Sequence, residues 1–453
     1  MPLREAIDRY HELLTGDVAT DSQGQLDEQL QRRGLFFGDR PLCTVLRPRF
    51  MSAQQYEYLQ ARAVLILRAF ESSYRAAMAD STLRAQYGLT AWEEQLIHHD
   101  PGFRDASPVS RLDAFFVGEA EGLRFTEYNA ETPAGAGYND VLSEMFYGLP
   151  VMAEFLRDWD VRPLPARHNT MHALLDAYRQ WSGRRDRPHI AILDWAEVPT
   201  RSEFVLFKDY FERQGLTCVI VDPADCEYRN GRLEGGGGPI DLIYKRVLIT
   251  ELVDRCGLDH AVVRAVRDQA VCMVNPFRCK MLHKKTSLAV LSDERNARLF
   301  SAAEREAIAA HIPWTRRVED RSTVHHTHAV DLLSYISANR ATLVLKPNDE
   351  YGGKGILLGW ETDQGLWDST IRAALTDPHI VQERVALPKE PFPSMDGTTL
   401  RFADRMLDTA PYVGYGRFVD GCLSRLSTAA LLNVSAGGGS SVPTFVINAR
   451  RSS

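Results

Sequence analysis

The stretch "RFTEYNAETPAGAGYND", Arg124–Asp140, opens as a strand and closes as something else. Side chains alternate between faces along a strand, so Glu127 and Asn129 share one face. A carboxylate beside a carboxamide offers hard oxygen donors, the kind Mg²⁺ takes. Pro133, Gly135 and Gly137 follow at once and read as a flexible exit. Just upstream, "SRLDAFFVG" places Arg111 and Asp113 two apart in another apolar run. With "EAEG" as the turn, the two runs read as a β-hairpin. Antiparallel pairing then brings Arg111 and Asp113 beside Glu127 and Asn129. Three oxygen ligands and an arginine converge on this reading, although a mixed-charge surface hairpin has the same pattern.

The stretches on either side give the class. Residues 1–100 read as mainly helical, with an amphipathic "MPLREAIDRYHELL" and one long helix over 52–80. "HIAILDW", the helix "RSEFVLFKDYFERQG" and "LTCVIVD" form a βαβ unit, which implies a parallel sheet. "YRNGRL" is an Asn-Gly hairpin turn, and "GGGG" (235–238) reads as a mobile connection to a third strand. "DLIYKRV" ends in Lys245 and Arg246, which suit either an anionic substrate or a salt-bridged strand end. "LPKEPFP" (387–393) reads as a linker or loop. The fold class is therefore α+β (α/β).

Bulk properties exclude several functions. The chain has 453 residues and a net charge of −7, too acidic for a dedicated nucleic-acid binder. It has no apolar run of membrane-spanning length and no signal peptide, and its seven cysteines lack a CxxC pair. Reduced thiols in a cytoplasm are the expectation, with no nucleic-acid or membrane partner. Enzymes of this size often form dimers, so a homodimer is one option, although the sequence does not fix the oligomeric state.

Two further stretches bear on chemistry. In "LVLKPNDEYGGKGILLGW" a buried strand ends at Lys346, and a loop with Gly352, Gly353, Lys354 and Gly355 leads to another strand. Glycines let backbone N–H groups approach phosphate oxygens, and lysines add charge. A Walker A loop would open a helix, so this reads instead as a lid over a triphosphate, or as a plain hairpin with a solvated lysine. In "HIVQERV", Gln382 and Glu383 sit where ATP pockets often read adenine through the backbone. "VHHTHAV" holds His325, His326 and His328, which suit a transition metal or a surface loop.

Together these motifs resemble the glutathionylspermidine synthase family, an ATP-grasp group in circularly permuted order. "LRFTEYNAETP" is similar to that family's EYNADTP motif, with Glu131 at the position of its aspartate. Arg111 and Asp113 match its R-x-D strand of catalytic arginine and magnesium aspartate. "NPFRCKMLHKKTSLAVLSDE" resembles the segment in which an ATP-binding lysine opens a helix, and Lys285 matches better than Lys284. Lys346 matches the second ATP lysine. "CLSRLSTAALLNVSAGGGSS" resembles the closing segment, in which an arginine precedes glycines, and Arg425 matches it.

The resemblance covers roughly residues 107–447. It implies ATP and Mg²⁺ as cofactors, with Asp113, Glu127 and Asn129 on the metal. It also implies Arg111 and Arg425 as catalytic residues, and Lys285, Lys346, Gly352, Gly353, Lys354, Gly355, Gln382 and Glu383 around the nucleotide. The reaction it implies is ligation of a carboxylate to an amine, with a peptide or polyamine among the candidate substrates. A phosphotransferase on the same fold and a non-catalytic nucleotide binder are the alternatives. "PAGAGYND" departs from the family's continuation, so substrate choice is expected in that loop.

The implied layout is a helical region (1–105), then a hairpin carrying the magnesium ligands plus helices (106–180). A βαβ pre-ATP-grasp-like domain (181–275) and the nucleotide-binding subdomains (276–453) follow.

Overall fold

A computed structural model describes residues 2–118, 122–428 and 439–450. The hairpin forms as its alternation dictates: Val109–Val117 pairs antiparallel with Gly122–Asn129, with Arg111 opposite Asn129 and Asp113 opposite Glu127. The intervening Leu112 and Tyr128 point into the core beneath, and a register shift after Asp113, which pairs Ala114 with Phe125, turns Phe125 inward as well. That core is roofed by the long helix Ala53–Ala79, whose start is a complete capping box of Ser52 and Gln55. The helix Ala53–Ala79 thus packs against the hairpin, whereas Pro2–Leu13 and Gly16–Arg32 pack in a second core with Ala136–Tyr147 and Pro150–Phe155.

The hairpin ends the main path of a nine-stranded sheet. From the far edge the path runs Lys389–Asp396, Thr399–Leu407, Phe418–Ser427, Ala410–Gly414 and then the hairpin. Ser440–Ala449 branches from Phe418–Ser427 and pairs with Arg49–Ser52 and Trp159–Pro163. Segment 387–393 is a correction: it runs into an edge strand, Lys389–Asp396. An edge strand needs only alternate N–H groups for its ladder, so Pro391 and Pro393, two apart, both fit on its unpaired side.

The βαβ unit forms as expected, within the four-stranded parallel sheet Cys272–Val274, Leu242–Lys245, Ile190–Leu193, Cys218–Val221. Asn230 and Gly231 take positive φ in the expected tight turn. The four glycines are not a mobile connection. They close a three-stranded antiparallel ribbon, with Gly235 and Gly236 packed on Val221 and Val219. The stretch after Glu131 is likewise no flexible exit. It is largely buried and opens the helix Ala136–Tyr147.

A separate antiparallel sheet orders Thr315–Arg317, His379–Glu383, Leu343–Pro347 and Leu357–Leu358. It faces the hairpin. The mixed α/β architecture with several sheets agrees with the expected class. All seven cysteines are free thiols, and among the described residues no helix is long and apolar enough to cross a membrane.

Candidate active site

Asp113 is the centre of the hairpin's charged face. Its Oδ1 accepts from Arg111 Nε at 2.6 Å. Its Oδ2 accepts from Arg111 Nη2 at 3.0 Å, Asn129 Nδ2 at 3.0 Å and Arg425 Nη2 at 2.6 Å. Burial works to raise the Asp113 pKa, but the two guanidiniums outweigh it and bring the carboxyl down to about 2. Arg425 reaches the hairpin from its own strand, Phe418–Ser427. Asp408, in the turn before Ala410–Gly414, accepts from the Arg425 backbone at 2.6 Å and from its Nε at 2.5 Å. Burial raises the Asp408 pKa against that arginine. Sequence reading missed Asp408: it lies in a short turn with no motif around it, and only pairing of Leu407 with Leu426 brings it to Arg425.

Glu127 meets a lysine instead. Lys285 Nζ lies 3.1 Å from Glu127 Oε1 and donates to the carbonyl of Glu350 at 2.5 Å. Burial opposes the ionised form of Glu127, yet with Lys285 beside it its pKa is lowered. Lys285 caps the helix Thr286–Ser292. Lys284 turns the other way, to Glu93 at 2.8 Å and Asp349 at 3.1 Å. Lys346, at the end of Leu343–Pro347, donates to Gln382 Oε1 at 2.8 Å and to the Thr126 carbonyl at 3.3 Å. Its burial depresses the ammonium pKa to about 8 despite Glu127 nearby.

These groups border one cavity of about 780 Å³. Asp113, Glu127, Lys346, Gln382, Glu383, Asp408 and Arg425 are among its polar lining. Val344, Ile356, Leu358 and Met406 are among its apolar lining, and Trp360 stacks on Arg384 at 4.0 Å. Arg111, Asn129 and Lys285 stand behind this lining, each bonded to a residue in it. Gly352, Gly353 and Gly355 all take positive φ in the loop above, where an L side chain would be strained. Lys354 is exposed on that loop and pairs with Glu350 at 3.0 Å. The structure thus brings Arg111, Asp113, Glu127, Asn129, Lys285, Lys346, Gln382, Glu383 and Arg425 together and leaves Gly352, Gly353, Lys354 and Gly355 outside the cavity's lining. The glycine-rich stretch after Arg425 lies mostly outside the described residues.

Asp113 and Glu127 stand directly opposite in the ladder, and Asn129 shares their face. This all-oxygen set fits Mg²⁺ by donor type, and the flanking cations keep both carboxyls ionised.

Beneath lies a second layer of charge. Glu131, fully buried, meets Lys245 at 3.0 Å, Lys280 at 3.2 Å and the Ile249 N–H at 2.7 Å. Burial works against its charge, but the lysines hold its pKa well below the usual carboxylate range. Arg246 is likewise tied to Glu203 at 3.1 Å. Lys245 and Arg246 are therefore salt-bridged strand ends. Glu203 Oε1 also accepts from the Gly135 and Gly137 backbones, which pins the start of the Ala136–Tyr147 helix. At Gly135, φ is +99°, and a Cβ would lie 2.6 Å from Tyr412 Oη.

No protein-family model and no curated protein sequence matches the chain. Among solved structures it is similar to a glutathione synthetase-like effector from Globodera pallida, with TM-score 0.60 and 13% identity over 94% of this chain and 96% of that one. That likeness extends over nearly both chains and shows a shared fold. A D-alanyl-alanine synthetase A from Vibrio cholerae O1 biovar eltor also matches, with TM-score 0.26 and 8% identity over 59% of this chain and 90% of that one, too slight a likeness to argue from.

Proposed function

We propose that this protein is an ATP-dependent ligase that joins a carboxylate to an amine on a permuted ATP-grasp fold. One observation carries the reading: Asp113 and Glu127 stand opposite each other, with Lys285 and Lys346 beside them, at a cavity that Val344, Ile356, Leu358 and Met406 also line. A nucleotide needs both kinds of lining, apolar surface for its base and cations for its phosphates. The chain order supports the permuted reading, because Lys346 meets the hairpin across 220 residues, after it and not before. The fold shared with a glutathione synthetase-like protein agrees with the reaction class.

In this account the adenine lies against Val344, Ile356, Leu358 and Met406, and the phosphates point to Lys285 and Lys346. Asp113, Glu127 and Asn129 would hold Mg²⁺, which when bound neutralises phosphate oxygens. The substrate carboxylate attacks the γ-phosphorus, giving an acyl phosphate and ADP. The amine then attacks the carbonyl carbon, and phosphate leaves with the bonding pair. Arg425, held by Asp408, faces the transferring phosphoryl group, while Arg111 fixes Asp113. The work is positioning and charge stabilisation, with no protein nucleophile. The loop with Gly352, Gly353, Lys354 and Gly355 closes over the site and excludes water, which would hydrolyse the acyl phosphate. Resemblance of the EYNAETP motif supports a glutathione-like peptide and a polyamine as the first substrates to try.

Calorimetric titration with Mg·ATP tests the site. One nucleotide should bind per chain, and Lys285→Ala and Lys346→Ala should each weaken it at least about tenfold, about 1.4 kcal/mol. Unchanged affinity in both folded variants would place the nucleotide elsewhere.

A further inference from the structure

Gln382 and Glu383 are consecutive on one strand, so their side chains leave opposite faces. Gln382 turns to Lys346. Glu383 turns to the hairpin Ser322–His325 and His328–Asp331. There two adjacent histidines meet it: His326 Nε2 lies 3.4 Å and His325 Nε2 3.8 Å from the same oxygen, Glu383 Oε1. One ligand atom from each of the three residues lies within 4.8 Å of the others. We propose that His325, His326 and Glu383 bind a divalent transition metal of the zinc type, at a site that borders the proposed Mg·ATP cavity and shares Glu383 with its lining.

The spacing is what such an ion requires. Tetrahedral Zn²⁺ with bonds of about 2.0–2.2 Å holds its ligand atoms roughly 3.3–3.6 Å apart. The two contacts to Glu383 fall at or just outside that range, and the two histidine nitrogens lie within 4.8 Å of each other, so closure requires the side chains to draw together around the ion. A simple ion pair would need one histidine, whereas here two rings converge on one carboxylate oxygen. Two imidazoles and a carboxylate form a donor set suited to Zn²⁺, and the same set leaves positions open.

The surroundings hold the ligands in place. His326 takes φ +52° in the turn, which folds it back beside His325, with ring centroids 4.2 Å apart. The Tyr335 hydroxyl lies 3.0 Å from His325 Nε2 and 3.2 Å from Nδ1, so with a metal on Nε2 it would have to shift to Nδ1 to serve as the outer partner. Trp314 packs edge-on against the same ring at 5.1 Å. His326 and Glu383 also line a second cavity, of about 510 Å³, into which open coordination positions would face. His328 takes no part: it is exposed, and its Nδ1 meets Thr327 Oγ1. The metal set is thus two of the three clustered histidines plus a glutamate about 57 residues further along the chain, a grouping created by folding.

Once bound, the ion would fasten this hairpin to the strand that carries Gln382, one residue from the Lys346 contact. The test is titration of the full chain, free of any polyhistidine tag, with Co²⁺. The expected result is one equivalent per chain with a visible ligand-field band, displaced by Zn²⁺. His326→Ala and Glu383→Gln should each weaken binding at least tenfold, while His328→Ala should leave it unchanged. Circular dichroism of each variant verifies the fold. Equal Co²⁺ binding by a folded His325→Ala/His326→Ala double variant would overturn the proposal. So would an equal loss in His328→Ala, or no band in the wild type.

Discussion

Lys346 gives the nucleotide reading a pH signature. Its burial among the cavity residues lowers its ammonium pKa to about 8. Below that pH the side chain is a cation able to grip phosphate, and above it the side chain is neutral. If only the ammonium form binds, affinity follows the protonated fraction. That fraction falls about tenfold between pH 7 and pH 9, a loss of about 1.4 kcal/mol in binding free energy. Binding at pH 8 should also draw about half a proton from solvent, since phosphate next to the lysine raises its pKa. Calorimetric titrations of Mg·ATP across pH 7–9, in two buffers of different ionisation enthalpy, measure both quantities. Lys346→Arg keeps its charge throughout, so its affinity should stay flat over the same range. A flat wild-type profile, or an equal decline in Lys346→Arg, would refute the role given to this lysine.

Three further outcomes follow from the charge network and the hairpin exit. Glu131→Gln leaves Lys245 and Lys280 buried without their shared anion, which should cost about 3–5 kcal/mol in urea unfolding, whereas Glu131→Asp should cost less. The folded pKa of Asp113 lies below its unfolded value, so its stabilisation is full above about pH 4 and fades as pH falls toward 2. That loss amounts to about 2 kcal/mol. Urea unfolding at pH 5 and pH 2.5 should show a smaller loss in Asp113→Asn than in the wild type, because the other lowered carboxyls still titrate in the variant. Gly135→Ala should lower the melting temperature, because its positive φ and the close Tyr412 hydroxyl both oppose a Cβ, at a cost of about 1–3 kcal/mol.

Local pattern carried far in this chain. Period-two alternation placed Arg111, Asp113, Glu127 and Asn129 on one face, because strand geometry is set residue by residue. The βαβ unit was as plain, with short apolar runs on either side of an amphipathic helix. What the sequence hid was made by distant packing. Asp408 matters only because its turn lies beside Arg425. Glu131 became the hub of a buried network through lysines 114 and 149 residues away. Pro391 and Pro393 argued for a loop because propensity does not reveal which strand is an edge. The glycines at 235–238 and the exit after Glu131 look mobile when read alone, and both are packed once neighbouring elements close on them. The carboxylate beside the histidine cluster, Glu383, was hidden in the same way, because it is remote in the chain.

A ligase is distinguished from the alternatives by its product. The most direct measurement is mass spectrometry of reactions containing Mg·ATP and pooled carboxylates and amines, with ADP and phosphate followed in parallel. The account predicts ADP and phosphate in equal amounts only when both substrate classes are present. It also predicts a new species of mass equal to carboxylate plus amine minus water, absent in folded Glu127→Ala. A phosphorylated substrate as the end product, or ATP turnover indifferent to the amine, would contradict it.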